Sequence, residues 1–367
     1  MSSELVQTQR AAMSEPSMRS EIVLTGFGGY DKLAVHEATV AVPSLLDDQL
    51  LVRVRACGAN FADNYVRQGL YVHGHKRPPF VMGMEAAGDV IRVGSAVTRF
   101  KEGDRVMCWC FTYGLWTSLA AVPEQNCFAI PNGMSYSEAA AFPINYVTAY
   151  LSICDFGGLR KGYKVLVQAA GGGVGWAATQ LCHTVEDVTV YGTSSASKFS
   201  LTQQNGVTHP IDYHTEDFIA AVRKMEPNGV DIIMDCLSGG EFTRARALLK
   251  PMGRAIHIGV SSMVWGQYFR PWKTFQTWWQ TKLVNVYHLS KDSHAVCGLN
   301  LATVSEKEPQ RVLDVMQHLT ELYEQGKIKP HIDSEWPFAE VAKGMEQLVE
   351  RRNVGKIVLL PPEEVKK

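Results

Sequence analysis

Several features that define other protein classes are missing from this sequence. Its 367 residues contain no run of about 18 uncharged apolar residues, the length that a helix needs to cross a bilayer. Basic and acidic residues balance to a net charge of −1, so the bulk charge attracts neither nucleic acid nor an anionic membrane. Neither an internal repeat nor a low-complexity block is present. These absences argue against a membrane-spanning, nucleic-acid-binding or repeat protein, and the length suggests two domains.

Paired cysteines are missing as well. The eight cysteines form no C-x-x-C pair, and most lie in apolar surroundings, which is typical of reduced thiols in a cytosolic protein. Cys108 and Cys110 are too isolated to indicate a metal site. Residues 1–20 are polar and lack the apolar core of a signal peptide. We therefore expect a cytoplasmic protein with flexible tails at 1–20 and 362–367.

Glycine is concentrated in the stretch 164–175, which reads as a buried strand (165–167), a glycine turn and a helix (174–185). That order opens a βαβ dinucleotide site. Glycines let the backbone approach a pyrophosphate, and the helix N-terminus offers unpaired N–H groups and a partial positive charge. The alternative is a tight strand-to-helix crossing without a ligand. The candidate cofactor-binding residues here are Ala170, Gly172, Gly173, Val174 and Gly175.

The residues after the glycine turn favour NADPH over NADH. An NAD site needs a carboxylate about 20 residues further on, but no Asp or Glu occurs from Val188 to Ile211. Small hydroxyl groups and a lysine follow the second strand instead, and these groups suit a 2′-phosphate. The alternative is a hydroxyl-capped helix start with a solvated lysine. The candidate residues are Thr193, Ser194, Ser195 and Lys198.

The chain shows two patterns, one after the other. Short strands punctuated by glycine and proline indicate a β-rich, barrel-like domain up to about residue 150. Strands and helices then alternate up to residue 259, which predicts a doubly wound parallel α/β sheet of the Rossmann type. We expect the C-terminal part to pack on the first domain. The predicted division is 21–147 for the catalytic domain, 148–303 for the cofactor domain with an aromatic insertion at 261–290, and 304–361 for the returning segment.

Several motifs resemble the quinone-oxidoreductase-like members of the medium-chain dehydrogenase/reductase superfamily, from about residue 23 to 360. Three further motifs resemble the vesicle amine transport protein homologues, a group within that superfamily. The resemblance implies a GroES-like catalytic domain and a homodimer formed through sheet edges. The first motifs are at 26–32, 57–63 (Cys-Gly-Ala-Asn-Phe-Ala-Asp), 67–71 and 103–107, and the further ones are at 206–213, 329–333 and 353–356.

The resemblance also implies that no zinc is bound. Zinc alcohol dehydrogenases of this superfamily have a ligand cysteine where this chain has Asn60, and a histidine where it has Met84. Neither residue supplies the nitrogen and sulfur ligands that zinc prefers. His73 and His75 form a stray metal-binding pattern that is more typical of a solvated loop. Without a Lewis acid, plain alcohol oxidation is not expected, and hydride transfer from NADPH to a quinone or enone remains.

The resemblance implies roles for further residues. It places Asn60 and Asp63 near the nicotinamide and its ribose, and Tyr65 where its phenol can donate to an acceptor oxygen. Tyr65 could equally be an ordinary half-buried aromatic residue. Three more candidates would contact the cofactor: Thr148 beside the nicotinamide, Tyr213 near the adenine or 2′-phosphate, and Lys356 on the nicotinamide side. Their alternatives are a helix-internal hydroxyl for Thr148 and a surface lysine for Lys356.

Aromatic residues crowd into 265–279, interleaved with basic residues. Pro271 could begin a helix that places Trp272, Phe275 and Trp279 on one face. Three interpretations remain open: packing in the core or a dimer interface, a wall of the acceptor pocket, or a peripheral membrane contact through 265–282 in the lipid headgroup layer.

The functional predictions are accordingly three. The first is a zinc-independent, NADPH-dependent oxidoreductase that reduces a quinone-like acceptor. The second is an NADPH-binding protein associated with a membrane or partner, on vesicles or organelles, with little turnover. The third is an α,β-unsaturated carbonyl (alkenal or enone) reductase, which shares all of these sequence features.

Overall fold

The computed structural model describes residues 17–40, 45–70, 76–282 and 284–362. Most of the two predicted tails and the pair His73 and His75 therefore lie outside the described residues, as does Tyr71 of the motif at 67–71.

The first domain is built mainly from antiparallel strands, as its short runs between glycines and prolines predict. Strands that the sequence pattern did not indicate, such as the one at 119–123, complete its sheets. Its elements are β1 (Ser17–Leu24), β2 (Leu33–Val40), β3 (Gln49–Ala59), α1 (Phe61–Arg67), β4 (Phe80–Val81), β5 (Glu85–Val93), β6 (Arg105–Trp109), β7 (Leu119–Pro123) and β8 (Cys127–Ala129).

The second domain is a six-stranded parallel sheet with helices on both faces. A short helix, α2 (Tyr136–Ala140), comes first and packs on β3 and β5 of the first domain. The elements that follow it are α3 (Pro143–Tyr150), β9 (Lys164–Val167), α4 (Gly173–Cys182), β10 (Thr189–Ser194), α5 (Phe199–Gln204), β11 (His209–Asp212), α6 (Phe218–Met225), β12 (Val230–Asp235), α7 (Gly239–Arg246), β13 (Leu249–His257), α8 (Pro271–Thr281), α9 (Val286–Asp292), β14 (Ala295–Gly298), α10 (Leu301–Lys307) and α11 (Pro309–Glu324). The strand order β11-β10-β9-β12-β13-β14 is that of a dinucleotide-binding fold. All six residues of the central strand β12 are buried, as expected for a parallel strand covered on both faces.

The chain then returns to the first domain through β15 (Ile332–Pro337), α12 (Val341–Val349) and β16 (Lys356–Leu360). Strand β16 pairs antiparallel with β3, and the mixed sheet runs β15-β16-β3-β5-β6-β8 with β7 also on β3. A smaller sheet has the order β2-β1-β4. The predicted division at residue 304 stays a prediction. Helix α11 buries Val312, Val315 and Leu319 in a cluster that also contains residues of β9 and α4.

A few predicted boundaries are wrong. The sequence pattern predicts a helix over 241–249, but this helix ends at Arg246, and β13 begins at Leu249. The sequence pattern also predicts a strand over 295–301, but this strand ends at Gly298, because the side chain of Asn300 accepts a hydrogen bond from the backbone N–H of Thr303 (3.3 Å) and begins α10. Helix α9 was not predicted, and Asn285 begins it in the same way.

A backbone contact between Gly171–Gly172 and Gly355, which we call the seam, joins the two domains. The N–H of Gly355, just before β16, donates to the carbonyl of Gly171 in the glycine turn (2.8 Å), and Gly172 and Gly355 form a parallel bridge. Lys356, the next residue, points into the first domain. Two consecutive residues, Gly355 and Lys356, therefore bond to the predicted cofactor turn and to the predicted catalytic residue Asn60 respectively.

Candidate functional site

The glycine turn provides an open helix N-terminus. Helix α4 begins at Gly173, and its N-cap residue, Gly172, makes no side-chain capping bond. The first N–H groups of the helix therefore remain available to a phosphate. A Cβ at Gly175 would lie 2.3 Å from the carbonyl oxygen of Ala169, so only glycine allows the helix to pack this closely on the turn. The residues present fit a dinucleotide pyrophosphate.

Thr193 supports this turn from the neighbouring strand. Its hydroxyl accepts from the N–H of Ala169 (3.1 Å) and its carbonyl accepts from the N–H of Ala170 (3.0 Å). Strand β10 extends to Ser194, and the side chains of Thr193 and Ser194 are both buried. The hydroxyl of Ser195 lies 3.2 Å from that of Ser197. Thr193 thus lies next to the glycine turn, but its hydroxyl already bonds the protein backbone.

Lys198 is more constrained than its sequence context suggests. Its ammonium donates to the carbonyls of Arg351 (2.7 Å) and Asn353 (2.6 Å), and burial lowers the pKa of Lys198. One N–H remains for a ligand, and a Cβ at Gly171 would lie 3.1 Å from the lysine stem. Lys198 therefore lies against the glycine turn and also ties the cofactor domain to the C-terminal segment. Tyr213, after β11, is 39% exposed and contacts the ring of His214.

Four buried polar side chains meet on the other side of the seam. Asn60 begins α1, and its N–H donates to Oδ2 of Asp63 (2.7 Å). The amide of Asn60 donates to Oε1 of Glu85 (2.8 Å) and accepts from Nζ of Lys356 (2.7 Å). Lys356 also forms an ion pair with Glu85. Lys356 is only 3% exposed, so it is not a surface lysine.

Asp63 keeps one carboxylate oxygen without a partner. Oδ1 is buried and makes no hydrogen bond among the described residues. The pKa of Asp63 is raised to about 7: burial is the main cause and Glu85 also raises it, while the bond from Asn60 and the charge of Lys356 act in the opposite direction. A buried oxygen with no partner is an open acceptor for a ligand hydroxyl.

Tyr65 lies on the same helix but faces the second domain. It packs with Val264 and Val349, and its hydroxyl lies beside the backbone of Val260 and the thiol of Cys236. Burial raises the pKa of Tyr65, so the phenol stays a hydrogen-bond donor at neutral pH. Its place at the interface of the two domains, rather than on an open surface, is decided by the tertiary structure.

Thr148 lies in the middle of α3, one turn before a π-helical segment at Leu151–Phe156. Its side chain is buried, and its carbonyl accepts from the hydroxyl of Ser152 (2.6 Å). π-helical turns within helices often mark functional sites. The contact of Thr148 with a nicotinamide stays a prediction.

Sequence reasoning did not select two residues of this site. Glu85 joins Asn60 to Lys356, and its position directly after Gly83 and Met84 was the available signal. Arg351 follows α12 with a left-handed φ of +56°, and its guanidinium lies over the ring of Trp265 (5.5 Å). Its charge acts on both Tyr65 and Lys198. No local pattern could have indicated Arg351, because these neighbours come from three distant segments.

The donors at the position of the zinc ligands do not fit zinc. Asn60, Met84 and Glu85 are the side chains there, and the Lys356 ammonium contacts both Asn60 and Glu85. A fixed ammonium at this distance opposes a second cation. Within the described residues, no group of three or more His, Cys, Asp or Glu side chains could hold a metal ion.

Helix α8 of the aromatic insertion is amphipathic, but its orientation is opposite to that of an ordinary surface helix. Its polar side faces the protein: Thr281 Oγ1 accepts from the N–H of Gly239 (2.8 Å), and Gln280 Oε1 accepts from the N–H of Gly240 (2.9 Å). Its apolar side is exposed, and Trp272 is 78% accessible. Packing in the core of this chain is therefore wrong for these residues. We call the exposed side chains Trp265, Tyr268, Phe269, Trp272, Phe275, Trp278 and Trp279 the aromatic face.

Pro271 does begin α8, and Phe275 contacts the rings of both Trp272 and Trp279, as the spacing predicted. In the part of the chain that the structure describes, no helix combines the length and the apolar character that crossing a bilayer requires.

Comparisons with known proteins agree with this architecture. The family of alcohol dehydrogenase GroES-like domains matches residues 46–132, and the family of zinc-binding dehydrogenases matches residues 205–359. The synaptic vesicle membrane protein VAT-1 homolog of Homo sapiens is 47% identical over 345 residues, which cover 94% of this chain and 86% of that protein.

Two solved structures are similar over nearly the whole chain. The crystal structure of the human synaptic vesicle membrane protein VAT-1 homolog-like protein has a TM-score of 0.81 and 36% identity, and the match covers 96% of this chain and 99% of that one. The crystal structure of Escherichia coli quinone oxidoreductase complexed with NADPH has a TM-score of 0.79 and 25% identity, and covers 93% and 100%.

Proposed function

This chain belongs to the VAT-1 homologues of the medium-chain dehydrogenase/reductase family, and from this premise we propose that it is a zinc-independent, NADPH-dependent oxidoreductase that transfers hydride to a quinone-like acceptor. The observation that carries the proposal is the seam at Gly355. It joins an uncapped helix N-terminus, with Lys198 beside it, to the buried cluster of Asn60, Asp63, Glu85 and Lys356. The similarity to a quinone oxidoreductase complexed with NADPH supports it.

In this proposal the protein binds and orients, and NADPH supplies the hydride. The N–H groups at the start of α4 bind the pyrophosphate, and Lys198 and Arg351 provide positive charge for the 2′-phosphate. Asp63 accepts a ribose hydroxyl through its free Oδ1. The Tyr65 phenol donates a hydrogen bond to the acceptor oxygen, where negative charge develops as hydride arrives. The apolar contacts of Tyr65 with Val264 and Val349 exclude water.

A nucleotide titration tests the cofactor. We expect NADPH to quench tryptophan fluorescence at much lower concentration than NADH, and Lys198→Glu to abolish that preference because it places a negative charge beside the 2′-phosphate. Lys307→Glu, at an exposed position on α10, is the control and should keep the preference. Equal affinity of the wild-type protein for the two nucleotides would contradict the proposal.

An acceptor screen tests the reaction. Oxidation of NADPH is followed by absorbance with quinones and with α,β-unsaturated carbonyls. Turnover of quinones supports the first proposal, and turnover of enones alone would assign the chain as an alkenal or enone reductase, which uses the same site. Tyr65→Phe should lower turnover about 10²-fold or more, as removal of one oxyanion donor does, without changing NADPH affinity.

The aromatic face favours a second candidate function, an NADPH-binding protein that associates with membranes. Residues 242–291 contain no Asp or Glu, and Arg270, Lys273 and Lys282 accompany the exposed rings. Lys282 lies 3.4 Å from the ring centroid of Trp279. Exposed tryptophans with basic residues are typical of a contact with anionic lipid headgroups. Relatives carry the name synaptic vesicle membrane protein.

Liposome flotation tests this second candidate. Wild-type protein should float with vesicles of anionic phospholipid and remain at the bottom with neutral ones, and the double variant Trp272→Ala/Trp279→Ala should lose flotation. Leu46→Ala, which removes an exposed apolar side chain (65%) elsewhere, is the control. Flotation of wild-type protein with no turnover of any quinone or enone would favour the second function over the first.

A further inference from the structure

We propose that Arg67 and Gln68 form a latch between helix α1 and the segment that carries the aromatic face, so that docking of this face on an anionic lipid surface opens the acceptor side of Tyr65. This inference rests on the proposed function, because it concerns access to the same site. It adds a coupling between a surface and a catalytic helix.

The latch is a set of side-chain to backbone hydrogen bonds across the seam. Arg67 is fully buried, and its Nη1 donates to the carbonyls of Gly28 and of Gln267 (2.8 Å). Gln68 Nε2 donates to the carbonyls of Gly266 (3.2 Å) and Gln267 (3.4 Å). The two carbonyls at 266 and 267 lie just before α8. The latch therefore joins Arg67, the last residue of α1, and Gln68, which follows it, to the segment just before α8.

Arg67 makes these bonds without a carboxylate partner among the described residues. Its guanidinium lies 4.4 Å from the ring centroid of Tyr30, and burial lowers the pKa of Arg67. Its Nε has no hydrogen-bond partner in the same set of residues. A buried cation that depends on backbone carbonyls is costly when those carbonyls move away. The position of the loop at 266–267 and the position of α1 are therefore linked.

Tyr65 lies between these two parts. It precedes the latch residues on α1, and it packs on Val264, which precedes the loop that the latch holds. Movement of 264–267 away from α1 removes Val264 from the apolar contacts of the Tyr65 ring. In the latched arrangement, the side of Tyr65 that faces the second domain is closed, since Tyr65 is only 9% exposed.

The charge of the segment 242–291 indicates what binds the aromatic face. A second copy of this chain would bring the same basic residues, Arg270, Lys273 and Lys282, against each other, and the stretch 242–291 has no carboxylate to offset them. Lys273 lies 3.8 Å from the ring centroid of Trp265, so ring and charge are presented together. An anionic lipid surface offers phosphate groups to the lysines and an apolar layer to the rings.

Amide hydrogen exchange tests the latch without any need for turnover. With anionic phospholipid vesicles present, we expect faster exchange in 61–68 and 264–268 than in the free protein, although the aromatic face itself becomes covered. Gln68→Leu, which removes two of the bonds without leaving a charge unpaired, should show this faster exchange in the absence of vesicles. Gln310→Leu on α11 is the matched control and should behave as wild type. Unchanged exchange in both segments on vesicle-bound protein overturns the proposal.

Turnover provides the second readout. With a lipophilic quinone as the probe, vesicles should raise turnover of the wild-type protein about fivefold. Gln68→Leu and Arg67→Lys should be faster than wild type without vesicles and gain little from them. Equal stimulation of wild type and Gln68→Leu overturns the latch. If no variant reduces any acceptor, the proposed function fails, and the exchange experiment still decides the latch.

A soluble polyanion distinguishes a lipid surface from an acidic protein partner. Polyglutamate carries negative charge but offers no apolar layer. The same exchange response with polyglutamate as with vesicles would overturn the assignment of the aromatic face to lipid. A response only to anionic vesicles, lost in Trp272→Ala/Trp279→Ala, supports it.

Discussion

At the scale of single residues, the buried cluster at the seam holds two carboxyl groups, an amide and one ammonium. Lys356 and Glu85 neutralise each other, and Asn60 bonds to both of them. A second carboxylate in the same space has no cation of its own, so burial favours the protonated form of Asp63. Binding of a ligand hydroxyl at Oδ1 would therefore depend on pH near neutrality.

Replacing Asp63 tests this account through stability. Because the pKa of Asp63 is about 7 in the folded state and lower in the unfolded state, its contribution is fully present at low pH and is lost as pH rises through about 7. The Asp63→Asn variant has no ionisable group at this position, so it does not lose stability in this way as pH rises. The free energy of unfolding of Asp63→Asn relative to wild type should thus rise between about pH 4 and about pH 8, by up to about 4 kcal/mol. Urea unfolding at both pH values measures it, and a difference that does not change with pH would contradict the account.

Lys356 gives a second test at this scale. Lys356→Met leaves Glu85 buried without its cation, which should lower the free energy of unfolding by about 3–5 kcal/mol. Adding Glu85→Gln should recover part of that loss, because the unpaired charge is removed. The control is Lys343→Met, which breaks an exposed pair with Glu340 (2.9 Å) and should cost less than about 1 kcal/mol. Equal losses for the two lysines would show that the buried pair is not as described.

At the scale of secondary-structure elements, α8 has its hydrogen-bonding side against the protein and its apolar side outward. Thr281 bonds both the N–H of Gly239 and the hydroxyl of Ser238, so it satisfies the start of α7. Helix α7 begins without a side-chain cap of its own. The need of these N–H groups for acceptors explains why the polar side of α8 turns inward.

Substitutions on the two sides of α8 should therefore have effects opposite to those on an ordinary amphipathic helix. Thr281→Val leaves buried donors without an acceptor and should cost about 1–3 kcal/mol. Trp272→Ser removes a large apolar side chain that is 78% exposed and should change stability by less than about 0.5 kcal/mol. Chemical denaturation of both variants compares them. A larger loss for Trp272→Ser would mean that the aromatic face is packed in the isolated protein.

The glycine turn allows a matched comparison between two positions. A Cβ at Gly175 would lie 2.3 Å from the carbonyl oxygen of Ala169, whereas one at Gly172 would lie 3.3 Å from the same atom. Gly175→Ala should therefore cost about 1–3 kcal/mol through overpacking and lose NADPH affinity. Gly172→Ala should fold with almost wild-type stability. Thermal unfolding and nucleotide titration measure both, and similar behaviour of the two variants would argue against this geometry.

At the scale of the whole molecule, the parallel sheet ends in β11 on one side and β14 on the other. Strand β11 contains Pro210, a residue that blocks further pairing at an edge. Strand β14, at 295–298, contains no proline. We propose that the chain forms a homodimer through β14, in line with the sheet-edge dimer that its family resemblance implies.

Light scattering after size exclusion tests the dimer. The wild-type protein should have twice the mass of one chain, and Ala295→Lys should be a monomer, because a lysine on an edge strand opposes strand pairing. His209→Lys on the opposite edge is the control and should remain dimeric. A monomeric wild-type protein at micromolar concentration would remove the proposal.

The sequence by itself determined the features that depend on near neighbours. The strand before the glycine turn and the helix after it (which ends at Cys182 rather than 185), the alternation of strands and helices, and the helix that begins at Pro271 are all confirmed. Short-range sterics and periodicity decide these, because a turn, a buried strand or a helix face is defined within a few residues. For the same reason, the lack of an acidic residue after β10 could be read directly.

Only the tertiary structure decided the rest. Lys356 reaches Glu85 across 271 positions, and Arg67 reaches Gln267 across 200. No local pattern encodes such pairs, since they arise from the return of the chain to its first domain. Periodicity also showed that Trp272 and Phe275 share a face, but not that this face is exposed. The exposure of the aromatic side follows from hydrogen bonding. The N–H groups of Gly239 and Gly240 donate to the polar side of α8, so this side packs against the protein and the aromatic side faces outward.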